Sequence, residues 1–147
     1  MKRSLSLTAL AALMLLMVSA CEGSSQVAEE EAMVQEWVVA VKSLDLEKTM
    51  TCYADDVIYQ DPAYQYRFTG GDEVRSMYMD VYALPDVKFD VTSAFVSGEG
   101  KWAAAEWTWS GTKGGKGYSI PGVSIFEIRG NKIVRETIYY DKTSSPY

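Results

Sequence analysis

Tyr53-Ala54-Asp55-Asp56-Val57-Ile58-Tyr59-Gln60-Asp61-Pro62 is the stretch on which the reading of the fold turns. Val57 to Gln60 has the β-branched and aromatic character of a short strand. Asp61-Pro62 ends it, because a proline offers no ladder N–H. Phe68-Thr69-Gly70 follows after a short gap. Thr69 and Asp72 have capping-box spacing ahead of a helix whose Val74, Met77, Tyr78 and Val81 form one stripe, and Pro85 stops that helix.

Upstream, Val34, Trp37, Val38, Val41 and Leu44 recur at the 3.6-residue period of an amphipathic helix. Asp45 can cap a second short helix reaching about Tyr53, with Leu46, Met50 and Tyr53 on its apolar side. Downstream, the period changes to two. Val87, Phe89 and Val91 alternate with Lys88, Asp90 and Thr92 into a turn at Ser97-Gly98-Glu99-Gly100, and Lys101 to Gly111 reads as the next strand. Gly111 to Gly117 reads as a loop. Tyr118 to Arg129 and Lys132 to Asp141 read as a hairpin closed by Gly130-Asn131, a pair suited to a primed turn with positive φ. Three helices and a run of long antiparallel strands predict an α+β domain, with a curved sheet covering the helices.

The N-terminus is of a different kind. Lys2 and Arg3 precede an uncharged run from Ser4 to Ala20 and then Cys21, the order of a charged n-region, an apolar h-region and a cleavage site. Val18-Ser19-Ala20-Cys21 resembles the bacterial lipobox, which implies cleavage before Cys21 and acylation of its thiol by chains such as palmitate. A plain N-terminal membrane helix is the competing reading, since the run is just long enough to span hydrocarbon. The expected organisation is a lipoprotein signal peptide over 1–20, a Ser-, Gly- and Glu-bearing flexible tether over 21–29, and one domain over 30–147. The expected location is the cell envelope, on the non-cytoplasmic side. Where two membranes exist, Glu22 after the modified cysteine implies the outer one, by resemblance to sorted lipoproteins.

Composition excludes several chemistries. Beyond Cys21 the chain carries 12 basic against 20 acidic residues, a net charge of −8, which argues against a nucleic-acid partner. There is no histidine, so Ser-His and Cys-His catalysis and His-ligated zinc are excluded. With Cys21 acylated, Cys52 has no disulfide partner and reads as a small buried hydrophobe. Glu29-Glu30-Glu31 reads as a solvated helix start favoured by the dipole, not as a metal site. No cofactor is implied.

The central stretch, with Phe68-Thr69-Gly70 and its helix, resembles the nuclear transport factor 2 (NTF2)-like superfamily, and within it the SnoaL-like polyketide cyclases and ketosteroid isomerases. Gly122-Val123-Ser124-Ile125-Phe126-Glu127-Ile128 with Lys132-Ile133-Val134 fits the same family's final hairpin. The likeness runs from about Ala32 to Asp141 and implies a cone-shaped sheet around a pocket. In the isomerases the Asp of the corresponding Asp-Pro pair is the general base, and Asp61 matches it. Their oxyanion hole is a Tyr and a protonated Asp. Those positions fall here on Trp37 and Ser124, which offer one N–H and one hydroxyl instead. The cyclases' ionisable positions fall near Ser124 and Ile138, neither an acid nor a base near neutral pH.

What the last hairpin offers is Glu136, on a strand face with Val134, Ile138 and Tyr140. If that face turns into the cone, Asp61 and Glu136 are two carboxyls in one apolar cavity, with Tyr140 as a further acid. Trp37, Tyr59, Tyr78, Trp107, Trp109, Ser124 and Ile138 are the expected ligand-contacting residues. Each has a plainer reading. Asp61 can cap turn amides, Glu136 can pair with a cation or face solvent, and Trp37 can be core. Ala103, Ala105, Trp107 and Trp109 share a strand face that either leaves a cavity or interlocks into a dry core. Three functions follow in order: a binding module for a small apolar or aromatic molecule, an acid/base enzyme of isomerase or cyclase type, and a homodimeric interaction module with a filled cone.

Overall fold

The computed structural model describes the backbone of residues 7–145 and the side chains of residues 25–145. Helix α1 spans Leu7–Lys42, α2 Leu46–Thr51 and α3 Gly71–Tyr82. The strands are β1 Tyr53–Asp61, β2 Tyr66–Thr69, β3 Lys88–Val96, β4 Trp102–Lys113, β5 Lys116–Ile128 and β6 Ile133–Tyr140, followed by a 3-10 turn at Lys142–Ser144. The sheet order is β2-β1-β6-β5-β4-β3. Every pairing is antiparallel except β1 with β6, which is parallel. The expected α+β cone is the observed architecture. Irregularities in β1, β3 and β5 bend the sheet, α1 packs on β3, and α3 lies against β1 and β2.

Several elements differ from the sequence reading, each for a local reason. The stretch 22–29, expected as a tether, is helical within α1. The stretch contains no proline, and extending an existing helix requires no new nucleus. Consequently the acidic triplet is not a helix start. Glu29 and Glu31 are exposed, but Glu30 is only 2% exposed, accepts a bond from Gln26 Nε2 at 3.1 Å, and lies against Gly100, where no Cβ intervenes. Leu44 is not on the helix. It adopts φ 55°, with Leu44 N–H donating to Val41 O and Asp45 N–H to Ala40 O, the two bonds of a Schellman closure.

Asp45 does cap α2, accepting from Lys48 N–H, but α2 stops at Thr51 and Tyr53 opens β1. The capping box shifts as well. Gly70 is the N-cap of α3, Thr69 belongs to β2, a strand the sequence reading missed, and the Glu73 carboxylate reaches back to the Thr69 N–H at 2.6 Å. The expected loop 111–117 is instead continuous β4–β5 ladder, closed by Gly114-Gly115, both at positive φ. Gly130 and Asn131 have φ 58° and 59°, the primed turn expected of them. Cys52 is buried beneath α1, where desolvation pushes its thiol up. Among the described residues no helix is long and apolar enough to cross a membrane. The Cys21 side chain lies outside the described ones, as does the start of the expected signal segment.

Candidate functional site

The inner face of β4 carries Ala103, Ala105, Trp107 and Trp109, small near one end and large near the other. Opposite Trp107 in the ladder stands Gly122, and a methyl group there would lie 2.3 Å from the Trp107 ring. The missing Cβ is therefore what allows the indole to lie across β5. Beside it, Ser124 pairs with Ala105 on one side and Ile138 on the other. Glu136 pairs with Phe126 and Tyr59, so it sits mid-sheet on the concave face, 1% exposed.

A closed set of hydrogen bonds forms around that carboxyl. Tyr53 O–H donates to Glu136 Oε2 at 2.5 Å, and Ser124 O–H donates to Oε1 at 2.7 Å. Tyr78 O–H lies 3.3 Å from Oε2 and 2.7 Å from the Tyr53 hydroxyl. Outside these, Trp37 Nε1–H donates to Tyr53 O–H at 2.9 Å and Trp107 Nε1–H to Ser124 Oγ at 2.9 Å. No cation completes the set; the six ion pairs among the described residues all lie elsewhere. Burial without a counter-charge pushes the Glu136 carboxyl up to about 7, although the bonds from Tyr53, Ser124 and Tyr78 pull the other way. Burial, then the Glu136 charge, holds the Tyr53, Tyr59 and Tyr78 hydroxyls well above their usual value.

Asp61 closes β1 in a second, separate set. Its Oδ1 accepts the Ala63 and Tyr64 amides at 2.9 and 3.3 Å, and its Oδ2 accepts Tyr140 O–H at 2.7 Å. It is therefore a turn-binding carboxylate and a cavity residue at once, and one lone pair of Oδ2 stays uncommitted.

Glu136, Ser124, Tyr78, Trp37 and Trp107 of the first set and Asp61 and Tyr140 of the second line a cavity of about 770 Å³. The ten residues singled out in the sequence (Asp61, Glu136, Tyr140, Trp37, Tyr59, Tyr78, Trp107, Trp109, Ser124 and Ile138) all stand on its wall. Phe68, Met77 and Phe89 join them, and Arg67, Glu73 and Asp80 bring charge to the same lining. Trp37 and Ser124 are not positioned as oxyanion donors, because both spend their hydrogens on protein acceptors. Glu136 has neither a cation nor solvent as its partner. The residue missed in the sequence is Tyr53, which had been assigned to a helix face. The sequence carried only part of the signal: Val57, Tyr59 and Asp61 alternate and are buried, but the exposed Asp55 and a register break separate Tyr53 from that run.

A bent sheet wrapped on helices around an aromatic, carboxyl-bearing cavity defines an NTF2-like cone. Residues 34–136 match the model of the SnoaL-like domain, and the chain belongs to that family. It is similar in structure to a Catenulispora acidiphila DSM 44928 protein of ketosteroid isomerase-like fold in complex with trimethylamine. That match has 23% identity, 76% of this chain and 87% of that one covered, and TM-score 0.66. An NTF-2 like protein of Burkholderia xenovorans LB400 matches at 25% identity, with 82% and 86% covered and TM-score 0.64. An epoxide hydrolase of M. tuberculosis matches at 16% identity, with 80% and 86% covered and TM-score 0.67. These likenesses concern the fold. Comparison with curated proteins finds no match.

Proposed function

We infer that the cone is a binding site for a small, largely apolar organic molecule. The observation that carries this is the cavity itself: about 770 Å³, open, and walled by Trp, Tyr, Phe and Met side chains around a few placed polar groups. Pockets for small molecules have this size and composition. Of the β4 stripe, Trp107 and Trp109 border this space, while Ala103 and Ala105 are packed in the core. The relative from Catenulispora acidiphila is in complex with a small amine, trimethylamine, in its own structure. The neutral fluorophore N-phenyl-1-naphthylamine tests the reading. Its emission should rise saturably with wild-type protein and fall away in Ile138→Trp, which fills the cavity, with near-ultraviolet circular dichroism confirming that the variant folds. A folded wild type that gives no saturable signal overturns it.

A second reading is supported by one observation, a buried carboxyl on the cavity wall with hydroxyl partners and no cation, which burial pushes up to about 7. Such a group suits proton transfer at neutral pH. Glu136 is then the acid or base, with Tyr140 and Asp61 as a second proton-bearing pair. α-Hydrogen exchange of phenylacetone in heavy water is the readout; a rate unchanged by the protein, or equal in Glu136→Gln, removes the enzymatic reading. The protein acts, in this proposal, at the cell envelope, held by acyl chains on Cys21. Exposed Phe95, Trp102 and Tyr139 on the outer face of the sheet support self-association there, which sedimentation velocity checks.

A further inference from the structure

We propose that the ligand of the cone is a cation, an amine or quaternary ammonium group on a compact apolar body. This rests on the ligand-binding reading above and names the chemistry that the cavity selects.

The charge of the wall is the first argument. Asp61, Glu73, Asp80 and Glu136 line the cavity against a single guanidinium, that of Arg67. None of the four carboxyls belongs to an ion pair among the described residues. Glu73 and Asp80 stand exposed at the mouth, whereas Asp61 and Glu136 are buried, with amides and hydroxyls as their partners and no cation. The wall therefore disfavours an anion, and burying a neutral ligand against the two deep carboxyls brings no counter-charge, whereas a cation supplies it where the surroundings are least polar.

The second argument is the direction of the donors. Deep in the cone, Trp37 Nε1–H, Tyr53 O–H, Ser124 O–H, Trp107 Nε1–H and Tyr140 O–H all point at protein acceptors. A ligand carbonyl or carboxylate needs donors and finds these already engaged. What the deep end offers a ligand is chiefly acceptor capacity on Asp61 and the faces of aromatic rings, the donors left on the wall being the Tyr59 hydroxyl and, towards the exposed mouth, Ser76 and Arg67.

The rings are the third. Tyr140, Trp107, Phe89 and Trp109 follow one another around the wall with successive centroids 6.3, 6.2 and 6.3 Å apart. Ring faces attract ammonium groups, and more strongly when the cation is desolvated. At the rim the chain already does this to itself, with Lys142 Nζ 4.4 Å above the centre of the Tyr64 ring.

Proton linkage gives the proposal a signature. Glu136 is bonded to Tyr53 of β1 and Tyr78 of α3 and pairs with Tyr59 of β1, and its charge reaches Tyr82 of α3; Asp61 of β1, Tyr140 of its own strand and the exposed Arg67 of β2 and Glu73 and Asp80 of α3 line the same cavity. Burial holds the tyrosines above their usual value, so they stay neutral while Glu136 titrates near 7. A bound cation favours the ionised carboxyl. Cation affinity should therefore rise with pH through neutrality, and binding should release part of a proton.

The test compares benzyltrimethylammonium with neopentylbenzene, its uncharged carbon isostere, as displacers of N-phenyl-1-naphthylamine at pH 6 and pH 8. The cation should win by about tenfold or more at pH 8, an advantage that shrinks by up to about tenfold at pH 6 as Glu136 is protonated. In Glu136→Gln that pH dependence should vanish. Titration calorimetry of the wild type in two buffers of different ionisation heat reads the proton release without any variant, and none is expected for the isostere. Equal or tighter binding of the isostere overturns the proposal, as does failure of the cation to displace a probe that does bind. If the probe itself does not bind, the broader ligand-binding reading falls first.

Discussion

Glu136 is a group whose folded pKa lies above its unfolded one, about 7 against 4.5, because burial penalises the ionised form. The carboxyl is therefore compatible with the fold when protonated and costly when charged. Its full contribution is present below pH 4.5 and is lost as pH rises through about 7, to the extent of on the order of 3 kcal/mol. Urea midpoints of the wild type should fall between pH 5 and pH 8, while Glu136→Gln, which keeps the shape but cannot ionise, should stay flat and exceed the wild type at pH 8. A wild-type midpoint that is level across this range would contradict the account. At Gly122 the issue is space. An alanine methyl would meet the Trp107 ring at 2.3 Å, so the indole must move into the cavity. Gly122→Ala should cost ~1–3 kcal/mol and weaken binding of the naphthylamine probe; unchanged melting together with unchanged binding would show that the ring does not rest on that glycine.

At the scale of elements, the β5–β6 hairpin determines what the cavity contains. Glu136 faces inward because its strand is held in one register, and a slip by one residue would turn it to the outer face. The hold begins at the turn, where Arg129 and Lys132 exchange backbone bonds of 2.9 and 3.2 Å around Gly130-Asn131. Both turn residues have positive φ, which asparagine tolerates and a β-branched residue does not. Asn131→Val should destabilise by ~1–2 kcal/mol, whereas Asn131→Gly should be close to neutral. Thermal melts of the pair check this, and equal losses in both would place the stabilisation in the asparagine side chain and not in its backbone.

For the whole molecule, the expected anchor and the cone are separable. Cys21→Ser should leave the SnoaL-like domain folded and abolish incorporation of labelled palmitate, releasing the chain from the membrane fraction. Each buried methylene of an acyl chain contributes about 0.8 kcal/mol, and stable anchoring takes more than one chain. Label retained by the variant would remove the lipoprotein reading, and recovery in an inner-membrane fraction would remove the sorting expected from Glu22.

The local devices and the identity of the fold were legible in the order of residues. The alternation along 103–109, the Gly130-Asn131 turn, the Asp45 cap and the strand face that Glu136 shares with Val134, Ile138 and Tyr140 are all set by residues within a few positions of one another, where steric and period rules act directly. Where two local rules competed, the sequence reading erred: Tyr53 suited a helix stripe as well as a strand, and the glycines of 111–117 suited a loop as well as a turn within a ladder. The partners of these groups, and which sheet face turns inward, came with the folded arrangement. Tyr53 meets Glu136 across 83 positions, Tyr78 meets it across 58, and Tyr140 meets Asp61 across 79. Those meetings depend on β1 pairing in parallel with β6 and on where α3 crosses the sheet. Burial, and with it the raised Glu136 pKa, is a sum over distant elements that the chain acquires once the sheet has closed over its helices.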